Sequence, residues 1–265
     1  MNVHRQLLFV VFVAMLMLLG CKNSITHLAS YGKAYEVVVV NDIDSLLYNT
    51  LSVPMKGLPQ IEPTFDVVEI TSDKLKGDSK LVRNIVVLTI DKRQKRVDIS
   101  SKQNVYAQPQ VIINIVAPSQ SSLQIFLKKY GNELRNYLIK TELHRAQGDI
   151  ARQINVKAAS TIYKMFGIRM QVPPELTTSK VGKNFLWLSN NASSGMVNLC
   201  IYSIGKGKFA QERDSVMRKN ILGEQKGMYM RTASIVSMVH GKYNSVTIRG
   251  LWEMQNDAMG GPFVA

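Results

Sequence analysis

Hydrophobic residues recur with two different periods along the chain, and these periods predict the order of its elements. The continuous β-branched run over residues 35–40 is typical of a buried strand. Between residues 119 and 166 apolar residues instead recur every three or four positions, which predicts helix. Gly148-Asp149 predicts a bend or a new cap within this stretch, and Gly167 predicts its end. Further strands of the first half are predicted over residues 64–70, 83–90 and 110–116.

The second half of the chain resembles the first in its order of strands and helices. Antiparallel groups of strands with inserted helices favour an α+β fold, in which antiparallel sheets carry helices on one face. Two ferredoxin-like halves, residues 35–149 and 150–265, are one such arrangement. Residue-level identity between the halves is too weak to establish a repeat. Strands of the second half are predicted over residues 168–172, 184–188, 196–204, 228–233 and 246–253, and a helix over residues 211–222.

The first 20 residues have the pattern of a lipoprotein signal peptide (residues 1–20). Arg5 precedes 13 consecutive apolar residues, 7–19, a length that is too short to span a bilayer of about 30 Å as a helix. The run ends Leu18-Leu19-Gly20-Cys21, which resembles a lipobox. We therefore expect cleavage before Cys21, lipidation of its thiol, and a polar tether over residues 21–34. The alternative is an uncleaved anchor that happens to contain a cysteine.

Charge and compartment together narrow the class of partner. The chain has 33 Lys and Arg against 19 Asp and Glu, a net charge of +14, which favours anionic partners. An exported protein rarely meets nucleic acid, so we expect a membrane, an envelope protein, or an anionic glycan or lipid. Lys22 is not the Asp that would indicate retention in the inner membrane. The outer membrane, with the protein facing the periplasm, is the expected location.

Residues typical of metal, cofactor or nucleophilic chemistry are sparse. Cys21 and Cys200 are the two cysteines, and lipidation of the first leaves no pair for an intramolecular disulfide. Cys200 lies in a strand-like run and is expected to be a small core residue. The histidines after the leader, His27, His144 and His240, have no metal-ligand spacing. The sequence therefore predicts no metal, no cofactor and no assignable catalytic residue.

Six residues are candidates for a binding site, because residues of these types are costly to bury without partners. One interpretation joins Arg249 with Glu62 or Asp257 in a cleft for a carboxylate or a saccharide, with Trp252 as a stacking face. The other interpretation is that these residues pin loops to the fold through buried hydrogen bonds and ion pairs. The candidates are Gln60, Glu62, Arg83, Arg249, Trp252 and Asp257.

Strand alternation separates the two interpretations. Arg249 and Trp252 point to opposite faces of their strand unless Gly250 marks a bulge. Without a bulge, Trp252 faces the core and Arg249 pairs with a carboxylate such as Glu62, so that both are structural. With a bulge, the two flank one cleft that opens toward Asp257. We favour the structural interpretation.

Six short motifs occur in order along the chain: Gly57-Leu-Pro-Gln-x-Glu-Pro63, Arg83-Asn-Ile85, Tyr106-Ala-x-Pro-Gln110, Phe185-x-Trp187, Arg249-Gly-x-Trp252 and Met259-Gly-Gly-Pro-Phe263. Together they resemble the family of envelope lipoproteins called domain of unknown function 4837. The resemblance implies an exported, lipid-anchored protein and carries no known activity, ligand or catalytic residue. Family members continue past the last motif with another strand and a basic helix. The body, residues 35–265, is therefore expected to lack a closing element and to expose a sheet edge.

These observations favour a non-enzymatic envelope protein. Its α+β body would be tethered at the outer membrane and would bind another protein or an anionic glycan or lipid. The alternative is a cell-wall-active enzyme or a carbohydrate-binding module that uses Arg249, Trp252 and Asp257. If the protein is an enzyme, the six candidate residues should line an open concave pocket. If it is a scaffold, they should be buried.

Replacement of Cys21 tests the anchor. The hydroxyl of a Cys21→Ser variant cannot form a thioether with diacylglycerol, so we expect no incorporation of labelled palmitate and accumulation of the precursor. A Cys200→Ser variant is the matched control and should be labelled like the unchanged chain. Continued labelling of the Cys21→Ser chain would show that the lipobox interpretation is wrong.

Overall fold

The computed structural model describes residues 28–265, so the leader and Cys21 lie outside the described residues. An N-terminal unit (residues 28–152) is followed by a C-terminal unit (residues 155–265). Within residues 28–265, no helix is both long and apolar enough to cross a bilayer.

Seven strands belong to the N-terminal unit: β1 Leu28–Ala29, β2 Glu36–Val40, β3 Asp66–Ile70, β4 Asn84–Ile90, β5 Asp98–Gln103, β6 Ala107–Gln108 and β7 Val111–Ala117. Five of them form a sheet in the order β3-β2-β4-β7-β5. The first four strands in this order run parallel, and β5 runs antiparallel to β7. Parallel neighbours cannot be joined by tight hairpins, so their connections cross over the sheet.

Helices α1 (Leu46–Leu51) and α2 (Gln120–Arg152) cover one face of this sheet. Valines 37–40 are all buried, and alternate members face the helices and the opposite layer. A strand that is buried on both faces needs a continuous apolar run, which explains why the valine run occupies a central position. The opposite face is covered by short 3₁₀ turns, one of which ends at Leu75.

Six strands and two helices form the C-terminal unit: α3 Val156–Phe166, β8 Thr178–Gly182, β9 Phe185–Ser189, β10 Asn198–Tyr202, α4 Phe209–Asn220, β11 Met230–His240, β12 Val246–Met254 and β13 Gly260–Val264. The strands form two antiparallel sheets, β10-β9-β8 and β11-β12-β13. Helix α3 packs on the first sheet, with Ile162 in one core with Leu186 and Leu188. Helix α4 packs against β11 of the second sheet.

The α+β class predicted from the sequence is confirmed. The ferredoxin-like arrangement is not observed in either half. In the N-terminal unit the central strands are parallel because the valine run is buried on both faces. In the C-terminal unit the antiparallel strands are divided between two sheets instead of forming one.

Helix α2 continues through Gly148-Asp149 to Arg152, so it is not recapped at these residues. Gly148 is exposed, and a Cβ added to it would meet nothing within 4 Å, so this glycine only weakens the intrinsic helix propensity. The interruption occurs instead just before Asn155. The Oδ1 atom of Asn155 accepts a hydrogen bond from the Ala158 N–H (3.0 Å) and caps the start of α3.

Residues 28–31 are attached to the body, although the sequence placed them in the tether over residues 21–34. Strand β1 pairs with β6 in parallel. The Ser30 hydroxyl donates to the Pro109 carbonyl oxygen (2.7 Å), and the Tyr31 N–H donates to the Leu81 carbonyl oxygen (3.2 Å). This attachment uses mainly backbone groups, so no hydrophobic pattern in the sequence predicts it.

Candidate functional site

The polar residues singled out in the sequence do not meet at one place. Gln60 and Glu62 are both exposed in the loop before β3. The carbonyl oxygen of Glu62 accepts a hydrogen bond from the Met55 N–H (2.8 Å), which closes that loop. Across residues 28–265, the Glu62 carboxylate takes part in no ion pair.

Arg249 and Trp252 point to opposite faces of β12. Both irregularities in the pairing of β11 with β12 lie on the β11 side, between residues 232 and 237, so β12 itself alternates regularly. Gly250 is required for a different reason. A Cβ at this position would lie 2.3 Å from the Ser234 carbonyl oxygen and 2.7 Å from the ring of Phe263.

The predicted pairing of Arg249 with Glu62 is wrong. Arg249 is exposed, and it forms no ion pair within the described part of the chain. Trp252 is half-buried on the other face of the strand. Asp257 lies in the turn after β12, where its Oδ1 accepts a hydrogen bond from the Met259 N–H (3.0 Å). The structure therefore does not bring these residues together in one cleft.

Arg83, in contrast, belongs to a buried cluster with Asn84, Glu142 and Arg145, which we call the Glu142 cluster. Arg83 Nη2 lies 3.0 Å from Glu142 Oε2, and Arg145 Nη1 lies 2.6 Å from Glu142 Oε1. The side-chain amide of Asn84 also donates to Glu142 Oε1 (2.7 Å). The carboxylate on α2 thus receives hydrogen bonds from Arg145 and Asn84 and forms an ion pair with Arg83.

The Glu142 cluster joins α2 to two central strands of the sheet. The Asn84 amide donates to the carbonyl oxygen of Glu36 on β2 (2.8 Å). Arg145 donates to Asn84 Oδ1 (2.8 Å) and to the carbonyl oxygen of Arg83 (2.9 Å). Burial lowers the pKa of the Arg145 guanidinium, and the Glu142 carboxylate opposes this shift. For Arg83, the structural interpretation from the sequence agrees with this geometry.

Tyr35 lies where the two units approach each other. Burial, followed by the negative charge of Glu142, raises the pKa of the Tyr35 hydroxyl, and the positive charge of Arg249 opposes the rise. Arg249 is therefore close enough to the N-terminal unit to act on Tyr35. The side chain of Val236 also lies near the N-terminal unit, 3.7 Å from the point where a Cβ added to Gly57 would stand.

An open groove of about 440 Å³ lies between β5 and α2; we call it the β5 groove. Its floor contains Ile113 and Leu134, which are buried. Three aromatic side chains, Phe126, Tyr130 and Tyr137, stand along the helix side. The lining is mostly apolar. Its polar groups are Ser100, Ser101, Glu133 and the Tyr137 hydroxyl, which donates to Ser101 Oγ (3.2 Å).

Strand β5 forms an edge of the sheet beside this groove. All six of its residues are exposed, and within residues 28–265 it pairs with β7 alone. An edge strand presents a row of unpaired N–H and C=O groups to solvent. The groove and this row are adjacent, so an added strand could pair with β5 and place side chains in the groove.

Sequence reasoning missed this groove because residues 98–103 carry no apolar alternation that would predict a strand. A signal for the helix side was present. Leucines 123, 127, 134 and 138 of α2 face the core, and the aromatic residues 126, 130 and 137 form a second row beside them. The apolar residues of α2 therefore cover more of its circumference than packing on the core requires. This pattern is consistent with a helix that also lines a groove.

A second buried charge, Arg213, fixes α4 in the C-terminal unit. Its guanidinium lies 4.4 Å from the ring centroid of Phe263 and donates to Thr232 Oγ1 (3.1 Å).

Burial raises the pKa of the nearby Cys200 thiol to about 11, and Arg213 opposes the rise. A thiol with this pKa is protonated at neutral pH and unreactive, as expected of a structural cysteine. Among residues 28–265, no three His, Cys, Asp or Glu side chains are grouped to hold a metal ion.

The fold and these sites define a two-unit α+β protein with internal polar clusters and an open apolar groove. Its C-terminal unit, residues 155–265, matches the family described as Domain of unknown function (DUF4837). Residues 30–151 match a second family, Domain of unknown function (DUF8532). No curated protein and no solved structure matched the chain.

The family resemblance inferred from the motifs is confirmed by the match to DUF4837. The last three motifs, which begin at Phe185, lie inside the matched range. The first three motifs, between residues 57 and 110, lie in the range that matches DUF8532. Neither family description names an activity, so the function is argued from the surfaces of the chain itself.

Removal of the Glu142 carboxylate tests the cluster. Glu142→Ala leaves two buried guanidinium groups without a counter-charge, so we expect the free energy of unfolding to fall by about 3–5 kcal/mol in urea denaturation. Arg249→Ala is the matched control. Because Arg249 is exposed and unpaired, its loss should change this free energy by about 0.5 kcal/mol or less. Similar small changes in both variants would contradict a structural role for the cluster.

Alkylation tests the environment of Cys200, whose side chain is half-buried. The pKa of this thiol is about 11 in the folded chain, compared with an ordinary value of 9.0. Between these values the folded chain holds less thiolate than the unfolded chain, so iodoacetamide should react more slowly with folded protein. The unfolded chain loses its proton first, so this thiol lowers folded stability as the pH rises from 9.0 to about 11. Equal rates in native buffer and in urea, measured on a Cys21→Ser chain, would contradict the burial.

Proposed function

We propose that the protein is a lipid-anchored lipoprotein of the outer membrane, facing the periplasm, and that it acts by binding another polypeptide rather than by catalysis. The leader pattern and Cys21 support the anchor and the compartment. The single observation that carries the binding role is the position of the β5 groove beside an unpaired sheet edge.

The partner is an extended segment that adds a strand to β5. Backbone hydrogen bonds along the outer edge of β5 would supply affinity. Side chains of an extended segment alternate, so those on one face recur about every 7 Å along it. The residues on the α2 side of the added strand would enter the β5 groove, and the others would remain in solvent.

The lining of the β5 groove favours apolar residues in that segment. A volume of about 440 Å³ holds one or two large side chains. Tyr130 is 41% exposed and Tyr137 is 37% exposed, so both rings are available to a partner without any rearrangement of the core. Partly exposed tyrosines with fixed positions are common centres of binding energy in protein interfaces.

The carbohydrate-binding or cell-wall enzyme alternative lacks support from the geometry. It requires Arg249, Trp252 and Asp257 to line one cleft. The regular alternation of β12 separates the first two, and the Asp257 carboxylate is engaged with the Met259 N–H. No second function is therefore proposed for this region.

Site-specific photo-crosslinking in the intact native envelope tests the proposed function. A photoreactive residue at Ser100 should capture a protein that mass spectrometry can identify. The same residue at Val68 is the matched control, because Val68 is 43% exposed on β3, which forms the opposite edge of the sheet. Equal capture from both positions would contradict a specific role for β5.

The aromatic side of the groove gives a second measurement in the same experiment. Tyr130→Ser, combined with the photoreactive residue at Ser100, should lower the yield of the captured protein by about tenfold. Tyr163→Ser is the control, since Tyr163 is 52% exposed on α3. Capture of a lipid or a glycan at Ser100, in place of a protein, would overturn the proposal.

A further inference from the structure

The hairpin that joins β11 and β12 ends in a tight turn with an unusual residue at its tip. Ser245 N–H donates to the Lys242 carbonyl oxygen (3.1 Å), and Gly241 N–H donates to the Ser245 carbonyl oxygen (2.8 Å). The two central residues, Tyr243 and Asn244, have φ values of 56° and 57°. Two consecutive residues in the left-handed region define a type I′ turn, which suits the twist of paired strands.

Tyrosine is a poor choice for the first central position of such a turn. Asn, Asp and Gly are favoured there, because a Cβ-bearing residue with a bulky ring is strained in the left-handed region. Asn244 follows this preference and Tyr243 does not. The Tyr243 side chain is also 99% exposed, so it gains no burial within the chain to offset the strain. Within the described residues, no burial of this ring offsets the conformation of its backbone.

Other side chains near the tip are also apolar and exposed. Met238 is 52% exposed and Val239 is 60% exposed, both at the end of β11. The basic side chain of Lys242 and the imidazole of His240 are exposed beside them. We call residues 238–246 the hairpin tip. It combines an aromatic ring, aliphatic side chains and a cation at the extremity of a projecting element.

Acidic residues are absent from a long segment around the hairpin tip. No Asp or Glu occurs between Glu224 and Glu253, whereas Lys226, Arg231, Lys242 and Arg249 all lie in this interval. The whole C-terminal unit has 14 Lys and Arg against 6 Asp and Glu. Such a surface is attracted to negative charge and has no local carboxylate to repel it.

We propose that the hairpin tip inserts into the interfacial region of a bilayer that contains anionic lipids. Tyrosine is suited to this region because its ring enters the apolar boundary while its hydroxyl stays in water. Lys242, the residue before Tyr243, would contact lipid phosphate. Two backbone hydrogen bonds close the turn, so the N–H groups of Gly241 and Ser245 stay paired on insertion. This contact uses a different surface from the β5 groove and does not depend on it.

A photoreactive benzoylphenylalanine at position 243 of the full chain tests the contact. The chain is mixed with phosphatidylcholine vesicles, with or without phosphatidylglycerol, and lipid adducts are measured by mass spectrometry. We expect adducts in anionic vesicles and few in neutral ones. The same substitution at Tyr163 is the control, because Tyr163 is exposed beside the basic side chain of Arg169. The readout is local, so it reports the tip whatever holds the rest of the chain to the vesicle.

Two further variants sharpen the result. Lys242→Gln should lower the adduct yield in anionic vesicles by about fivefold, the factor expected for one cation near a charged surface, and should leave neutral vesicles unaffected. Tyr243→Asn should raise the Tm of the chain by about 2 °C, because Asn tolerates the left-handed conformation. Equal labelling of neutral and anionic vesicles, labelling no greater than at position 163, or adducts with protein alone in native envelope would overturn the proposal. A lower Tm for Tyr243→Asn would do the same, since it would give the ring a structural role.

Discussion

The carboxylate of Glu142 is the constraint on which the geometry of the N-terminal unit depends. Apolar packing holds α2 against the sheet, but burial of leucines is non-directional and tolerates sliding of the helix along the strands. The hydrogen bonds from Asn84 and Arg145 have narrow ranges of length and direction, and the ion pair with Arg83 adds a third contact, so one position of the helix satisfies them. Buried ion pairs of this kind contribute more to a unique arrangement than to stability. The position of α2 in turn sets the width of the β5 groove.

The two exposed surfaces of the protein follow from different physical causes. The β5 groove exists because a straight helix cannot cover the outer strand of a twisted sheet as closely as it covers the centre. Its apolar lining is therefore an extension of the core. The hairpin tip has no core beneath it, and its exposed side chains are held by a tight turn and by the pairing of β11 with β12. The β5 groove is suited to a partner with a defined shape. The hairpin tip is suited to a partner surface without a fixed shape, such as a lipid bilayer.

The sequence predicted those parts of the fold in which burial imposes a simple pattern. The valine run and the leucine stripe of α2 belong to this group. Parallel pairing was missed, although four consecutive buried valines indicate a strand covered on both faces. Glu142 and Arg145 could have been found, because they continue the buried spacing that begins at Leu134 and Leu138. A charged residue at a core position of a helix signals a buried partner.

Other features left little or no trace in the sequence. Residues 98–103 form a strand because their backbone pairs with β7, and their polar side chains carry no record of that pairing. Arg249 and Trp252 lie on opposite faces because the irregularities in the pairing of β11 with β12 lie on β11 and not on β12. That choice is made by close contacts between strands, such as the one between Gly250 and the ring of Phe263. Pairwise contacts of this kind are set by the folded chain and are not encoded by the local pattern.

The attachment of residues 28–31 to the body limits the distance over which the protein can work. Leu28 is seven positions after Cys21, and a fully extended chain of seven steps covers about 25 Å. With a lipid on Cys21, as proposed, the body would be confined to a shell of about one domain diameter above the bilayer. Local concentration of any membrane-bound partner would be high within that shell, and a partner held farther away would be out of reach. A longer tether would therefore lower the local concentration of the body around a membrane-bound partner.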